Sequence, residues 1–443
     1  MGELEVYGRI KQLFTEIQSE WANSEARRIG DNNSWTRRRN MPLEDILICT
    51  LAKKGLSAIM EIRQYFQEVR KMEQIVSKQN YLRQRQKLNP KVFKLLNQNY
   101  LKRFYASQEV KEWQGYLVMA IDGSKVEIPN SEENRQVYGQ SKTRYGESTA
   151  RASLSSLHDV FNRFLVDIDI DRYLANEAEA VKLHIGALRE IVGERPVLIM
   201  FDRGYLSLEF MDFLEKRGIK YLIRLPEMSY KVEVAGMKTF DEEVELPYTK
   251  SRLSNLKKKS PELAEELLQK QSSNVRIVKA ILGNGKQVTL ITNLREGTTE
   301  EIQQLYRKRW SIEEKYHTLK NKLKFESVTG KASIYVEQDF LAQTLVFNII
   351  QDLITAAEYR AAIRAKEKRL RYEVRINENI AIGLFKEQFI QLMLEEDTKQ
   401  KDQMFRNLTA DMERNIVPVR KLKSSPRKWK YYNKYDSNLK PAF

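Results

Sequence analysis

Two aspartates and a glutamate carry the chemistry that this sequence suggests. Asp122 closes the apolar run Leu117-Val118-Met119-Ala120-Ile121, Asp202 closes Val197-Leu198-Ile199-Met200-Phe201, and each is followed within two residues by a glycine, Gly123 and Gly204. Unbroken apolar runs of this length predict strands buried on both faces, and groups just past the carboxyl ends of such strands line the ligand crevice of an open α/β sheet. Taken singly, each aspartate equally suits the start of a turn. A third carboxylate, Glu313, lies in the helical pattern around Tyr306 and Arg309. At about 100° per residue, Tyr306, Arg309, Glu313 and Lys320 fall within about 60° of one another, and Glu314 points roughly 100° away from Glu313. Leu305, Ile312, Leu319 and Leu323 form the adjoining apolar stripe. An ion-paired helix surface has the same appearance, but the three acids together suit phosphodiester cleavage by two metal ions about 4 Å apart. Asp122 would bridge the ions, with Asp202 on one and Glu313 on the other. Mg²⁺ suits an all-oxygen site, Mn²⁺ being a substitute, and the neighbouring bases would hold substrate phosphates.

Other metal chemistries lack donors. The single cysteine, Cys49, sits in the apolar run Ile46-Leu47-Ile48 as a core residue, and His158, His184 and His317 show no zinc-motif spacing. The 76 Lys and Arg outnumber the 60 Asp and Glu, leaving a formal charge of +16, which favours a polyanion; nucleic acid leads and an anionic membrane comes second. No apolar stretch approaches the roughly 20 residues that span a bilayer, and Met1 to Arg9 opens no signal-peptide core. A cytoplasmic protein without a membrane partner is the expectation.

The elements around these residues divide the chain into a helical DNA-binding region at 1–110, the first part of an α/β catalytic core at 111–225, a β-rich insertion at 226–287, the second part of the core with the glutamate helix at 288–330, and a helical C-terminal region with a basic tail at 331–443. Asn89-Pro90 starts a helix with Phe93, Leu96, Tyr100, Leu101 and Phe104 at helical spacing. From Lys71 to Lys111 ten basic residues face two acidic ones, the composition of a DNA-facing module or of a solvated basic face. Strands are expected at Phe164 to Ile170, Tyr221 to Leu225, Tyr230 to Val234, Val275 to Leu282 and Val288 to Thr292. Helices are expected at Ala175 to Ile191, at Ser251 to Gln271, and from the capping signal Thr298-Thr299-Glu300-Glu301 to about Phe325. Phe340, Leu341, Leu345, Ile349 and Leu353 mark a further buried helix. The tail Arg420 to Phe443 holds eight bases and one acid with interleaved Trp429, Tyr431, Tyr432 and Tyr435, a composition that suits phosphates and stacked bases.

At these residues the sequence resembles the insertion-sequence-four family of bacterial DDE transposases. Asp122-Gly123-Ser124, Asp202-Arg203-Gly204-Tyr205 and the spacing Tyr306-x2-Arg309-x3-Glu313-x6-Lys320 match that family's motifs in order. The similarity extends through Val76-Ser77-Lys78-Gln79, Tyr81 to Tyr105, Asn176-Glu177-Ala178-Glu179-Ala180 and the basic C-terminus. The resemblance implies an RNase H-like mixed-sheet core interrupted by a β-rich insertion, with Asp122, Asp202 and Glu313 as the metal triad. Tyr306, Arg309 and Lys320 would contact DNA near the scissile phosphate, and Lys78, Arg83 and Arg85 of the basic module are further expected DNA contacts. It implies cleavage at transposon terminal repeats, joining of the 3′-hydroxyls to target DNA, and a homodimer bridging two double-stranded ends. Related hairpin-forming enzymes stack a flipped base on a tryptophan of the insertion; 226–287 has none, leaving Tyr230, Phe240 and Tyr248 as platforms and favouring a route without a hairpin. An RNase H-like nuclease without strand transfer, or a silent DNA-binding descendant of a transposase, fits the same residues.

Overall fold

Among the described residues, nine strands form one mixed sheet: β1 Leu117–Glu127, β2 Gln140–Lys142, β3 Ser148–Asp159, β4 Leu165–Arg172, β5 Val197–Phe201, β6 Lys220–Arg224, β7 Asp241–Pro247, β8 Ser272–Ile281 and β9 Gln287–Thr292. The computed structural model describes residues 2–419 apart from 29–30, 32, 37–40, 74–75, 143–145, 147 and 282–286. The basic tail therefore lies outside the described residues.

Strands β4, β3 and β1 are antiparallel neighbours, and β1, β5 and β6 run parallel. This is the RNase H-like mixed sheet that the motifs implied. Parallel pairing buries β5 on both faces, and all five of its residues are apolar and buried. Beyond β6 the sheet continues through β9, β8 and β7, so β7 and β8, within 226–287, extend this sheet. Tyr230 to Val234, expected as a strand, is instead the entry to a short helix, Lys231–Gly236, with Tyr230 in the left-handed conformation at φ 51°. The segment pairs with no described strand, and Val232 stays 80% exposed.

A 35-residue helix, Ser333–Glu367, is the spine of the helical part. It packs against the helices Gly2–Ile17, Leu43–Leu51, Lys91–Tyr105 and Thr398–Arg414 and against β4. By length and composition this helix is apolar enough to cross a bilayer, contrary to the expectation that no such stretch exists, yet 94% of its most apolar window is buried within the chain. Buried polar contacts fix its register. Arg9 pairs with Asp352 at 2.8 Å, Tyr100 donates to the same carboxylate at 2.6 Å, and Asn348 bridges Asn97 and the backbone of Leu165 in β4. His184, in the helix Glu177–Val192, joins Asp167 at 2.8 Å to Ser155 at 2.9 Å. All three are buried, so this trio clamps β3, β4 and the helix rather than facing a substrate.

Candidate active site

Asp122 is not at the end of its strand. β1 runs on to Glu127 along β3, but its pairing with β5 stops at Ala120 opposite Met200. The two parallel strands part there, and Asp122 and Asp202 face the gap from either side. Asp202 directly follows β5 and opens the 3₁₀ turn Arg203–Tyr205. The Asp122 carboxylate accepts the Gly123 N–H at 2.9 Å, and its carbonyl accepts the Tyr316 hydroxyl at 2.6 Å. Tyr316 also accepts from Ser156, the register partner of Asp122 on β3. One phenol therefore fastens the glutamate helix to the strand that carries the first aspartate.

The expected continuous helix from Thr298 to Phe325 is broken. A capping box at Thr298 and Glu301 starts Thr299–Arg307, a 3₁₀ turn covers Lys308–Trp310, and Ser311–His317 gives way to a π turn at Thr318–Lys322. Both turns change the angular phase that an unbroken helix would keep. Consequently Tyr306 and Arg309 are buried, at 3% and 5% exposure, while Glu313 is open to solvent. Arg309 approaches Glu313 at 3.7 Å and lies over the Tyr306 ring. Lys320 turns toward β1, donating to Ser124 Oγ at 2.9 Å and to the Lys125 carbonyl at 2.6 Å.

The electrostatics join these groups into one site. Burial raises the Asp122 carboxyl pKa, the Arg309 guanidinium opposes that rise, and the negative charges of Glu313 and Asp202 add to it. Burial likewise pushes the Tyr306 hydroxyl up to about 12, with Arg309 opposing and Asp202 contributing. A cation beside Asp122 would relieve the charge that its acidic neighbours place on it. Asp202 Oδ1 is buried with no hydrogen-bond partner among the described residues, an acceptor that a metal ion would satisfy. The donor set, all oxygen, fits Mg²⁺ or Mn²⁺. Among the described residues no three metal-binding side chains stand close enough to form a finished cage, and Glu313 is exposed beside Arg309. Only Glu313 of the three reaches the neighbouring cleft of about 770 Å³, whose walls include Arg163, Lys315, Lys322 and Glu378.

The other expected contacts divide. Lys78 and Arg83 are exposed on the helix Lys78–Arg85. Arg85 is fully buried, bound to Asp339 at 2.7 Å and Gln338 at 3.0 Å, and serves the fold instead of presenting charge to DNA. Tyr248 is buried, Tyr230 is half-buried beneath Arg252, and Phe240 is 62% exposed, so Phe240 is the open ring of the three. Sequence reasoning missed Tyr316 and Glu378. Glu378 accepts from Thr318 at 3.0 Å, pairs with Lys322 and lies 3.9 Å from Lys315, bracing the Glu313 helix from the C-terminal region. An aromatic three residues beyond Glu313 was the available signal for Tyr316; nothing local marks Glu378.

A family model described as the transposase DDE domain matches residues 113–349. Among solved structures, the piggyBac transposase synaptic complex with hairpin DNA aligns over 90% of this chain and 82% of that chain, at 10% identity and a TM-score of 0.43. Comparison with curated proteins returns no match.

Proposed function

The chain belongs to the family of transposases with a DDE domain, and from that premise we propose that it cleaves the ends of an insertion sequence and joins the exposed 3′-hydroxyls to target DNA. The observation that supports this reading is that Asp122 and Asp202 lie at the gap where β1 leaves β5, with Arg309 and Glu313 near enough to act on the Asp122 carboxyl. Asp122, Asp202 and Glu313 are the residues to hold two Mg²⁺ ions, which when bound activate the attacking oxygen and stabilise the leaving one.

The chain's own residues do the rest. Arg309, packed against Tyr306 and within reach of Glu313, keeps the acids from repelling one another and turns a guanidinium toward the phosphate that arrives there. Lys320 ties the helix to the Asp122-Gly123-Ser124 run and presents its ammonium beside the same gap. Lys78 and Arg83, exposed on the basic module, contact the duplex backbone, consistent with the formal charge of +16. The partners are double-stranded terminal repeats, target DNA and a second copy of the chain in the synaptic complex, and the place of action is the bacterial cytoplasm.

The deciding experiment supplies a pre-cleaved donor end and a target plasmid with Mg²⁺. Joined product supports a transposase; cleavage of intact ends without joining would leave a nuclease instead. Lys320→Ala is expected to lower turnover about a hundredfold, the loss of one well-placed charge donor, while removing its two hydrogen bonds costs about 1 kcal/mol of stability. Normal turnover with a large fall in melting temperature would assign Lys320 to the fold alone.

A further inference from the structure

The helix Lys78–Arg85 is too short and too polar to stand alone. It has eight residues, and isolated helices shorter than about 12 to 15 residues are marginal in water. The spine helix Ser333–Glu367 holds it through buried polar groups. Gln338 donates to the carbonyls of Arg85 and Leu88, each at 2.8 Å, and Tyr335 donates to the Leu82 carbonyl at 3.0 Å. Arg85 returns two bonds, to Gln338 and Asp339, and the Tyr81 hydroxyl lies 3.3 Å from that of Thr50. The backbone of this helix is therefore fixed both in place and in rotation about its own axis.

The side chains that this rotation turns outward make no contact that serves the fold. At about 100° per residue, Gln79, Asn80 and Arg83 fall within about 100° of one another, centred opposite Tyr81 and Arg85. All three are exposed, and among the described residues no hydrogen bond or ion pair engages their side chains. Ser77 Oγ accepts the Asn80 backbone N–H at 3.2 Å, so the helix cap leaves both amide side chains unused. The surrounding sequence is free of carboxylates: no Asp or Glu occurs between Glu73 and Glu109, while Lys78 and Lys91 are exposed. Such a face suits a polyanion.

We propose that this helix enters the major groove of duplex DNA and that Gln79 and Asn80 read adenine there, as the specificity-determining residues of end recognition. The inference rests on the DNA-acting reading above. A helix about 10 to 12 Å across fits a major groove about 12 Å wide, and residues at the N-terminal end of a helix so placed meet the base edges. Gln79 and Asn80 are its second and third residues. A carboxamide carries both an acceptor and donors, the complement of the adenine N6 amino group and N7 in that groove. Lysine and arginine have no acceptor to offer. Lys78 and Arg83 hold phosphates on either side, contacts that position the helix without specifying sequence.

Selection by the full chain from a pool of duplexes with a randomised central segment, at fixed salt and with chelator present so that no strand is cut, tests the assignment. Wild type is expected to enrich a site containing adenine. Gln79→Ala and Asn80→Ala should each lose the adenine preference at one position and bind the selected duplex about tenfold more weakly, with affinity for a scrambled duplex and melting temperature both unchanged. Lys78→Ala should instead weaken selected and scrambled duplexes alike and lower the slope of log affinity against log salt by about one. Unaltered selection by both amide variants overturns the assignment. So does an equal loss on selected and scrambled duplexes, which would make the amides backbone contacts. Two outcomes for wild type separate the levels of failure: a chain that binds no duplex sinks the DNA-acting reading itself, whereas one that binds the pool without enriching any sequence removes base reading by this helix alone.

Discussion

Asp202→Asn and Glu313→Gln will each reduce Mg²⁺-dependent cleavage of end DNA by at least about a thousandfold, the scale on which removing transition-state stabilisation acts, while DNA binding stays intact. Asparagine preserves the shape at residue 202 but removes the carboxylate charge at an oxygen, Oδ1, that is buried with no hydrogen-bond partner among the described residues and is proposed to take a cation. Glutamine at residue 313 likewise keeps the length and loses the charge. Neither change removes a basic residue, and less negative charge in the gap reduces repulsion of phosphates. Denaturing gels of end-labelled substrate, with and without chelator, and gel-shift titrations read the two quantities separately. Full cleavage by either variant would remove that residue from the site. Asp122→Asn is expected to lose activity as well but to gain stability at neutral pH. Its carboxyl pKa is raised in the folded chain, so the ionised form destabilises the native state; the wild type is relatively favoured at low pH and loses that advantage as pH rises through the folded value. The melting temperatures of Asp122→Asn and wild type should therefore converge below about pH 4, where both side chains are neutral.

Asp339→Ala will be the most damaging single change to the fold, lowering stability by about 3 to 5 kcal/mol, the usual consequence of leaving buried partners unpaired. Asp339 is about 1% exposed and accepts from Arg85 at 2.7 Å, Lys53 at 2.9 Å and the Thr329 N–H at 2.7 Å. Its removal strands a guanidinium at 0% and an ammonium at 5% exposure. Burial opposes ionisation of Asp339, but Arg85 and Lys53 overcome it and hold the carboxyl well below the usual carboxylate range. A depressed folded pKa contributes stability that is fully present above the unfolded value near 3.9 and is lost as pH falls through the folded one. Urea midpoints at pH 7 and pH 3 test both statements: the wild type should weaken on acidification more than Asp339→Asn does. Equal midpoints for wild type and both variants at pH 7 would show that the cluster contributes nothing net. Arg85→Met should share the instability and leave the salt dependence of DNA binding unchanged, in contrast to changes at Lys78 or Arg83.

The strands bearing Asp122 and Asp202 were readable because five apolar residues in succession admit few meanings next to a turn signal. The capping box at Thr298 was equally plain, since it is a local exchange between neighbouring side chains and backbone. What followed it was not: no local residue announces the turns at Lys308–Trp310 and Thr318–Lys322, and the second of them is held by contacts of Lys320 with β1 and of Thr318 and Lys322 with Glu378. Arg85 illustrates the same limit. The helix Lys78–Arg85 is polar almost throughout, and its buried side consists of Tyr81 and Arg85, one turn apart; the inward choice depends on Asp339, more than 250 residues away. Composition identifies a basic segment, but which of its charges meet solvent is decided by partners that lie far along the chain.

The Ser333–Glu367 helix also imposes a timetable on synthesis. The apolar faces of Gly2–Ile17, Leu43–Leu51 and Lys91–Tyr105 find their cover on this helix, which leaves the ribosome after the entire sheet has been made. At about 5 to 20 residues per second, the N-terminal helices wait on the order of 10 to 65 seconds for it. During that interval they depend on chaperones or on provisional contacts with one another. Ribosome-bound chains halted before residue 333 should accordingly expose Gly2 to Tyr105 to protease, and chains extended past residue 414 should protect it; early protection would mean that these helices settle without their spine.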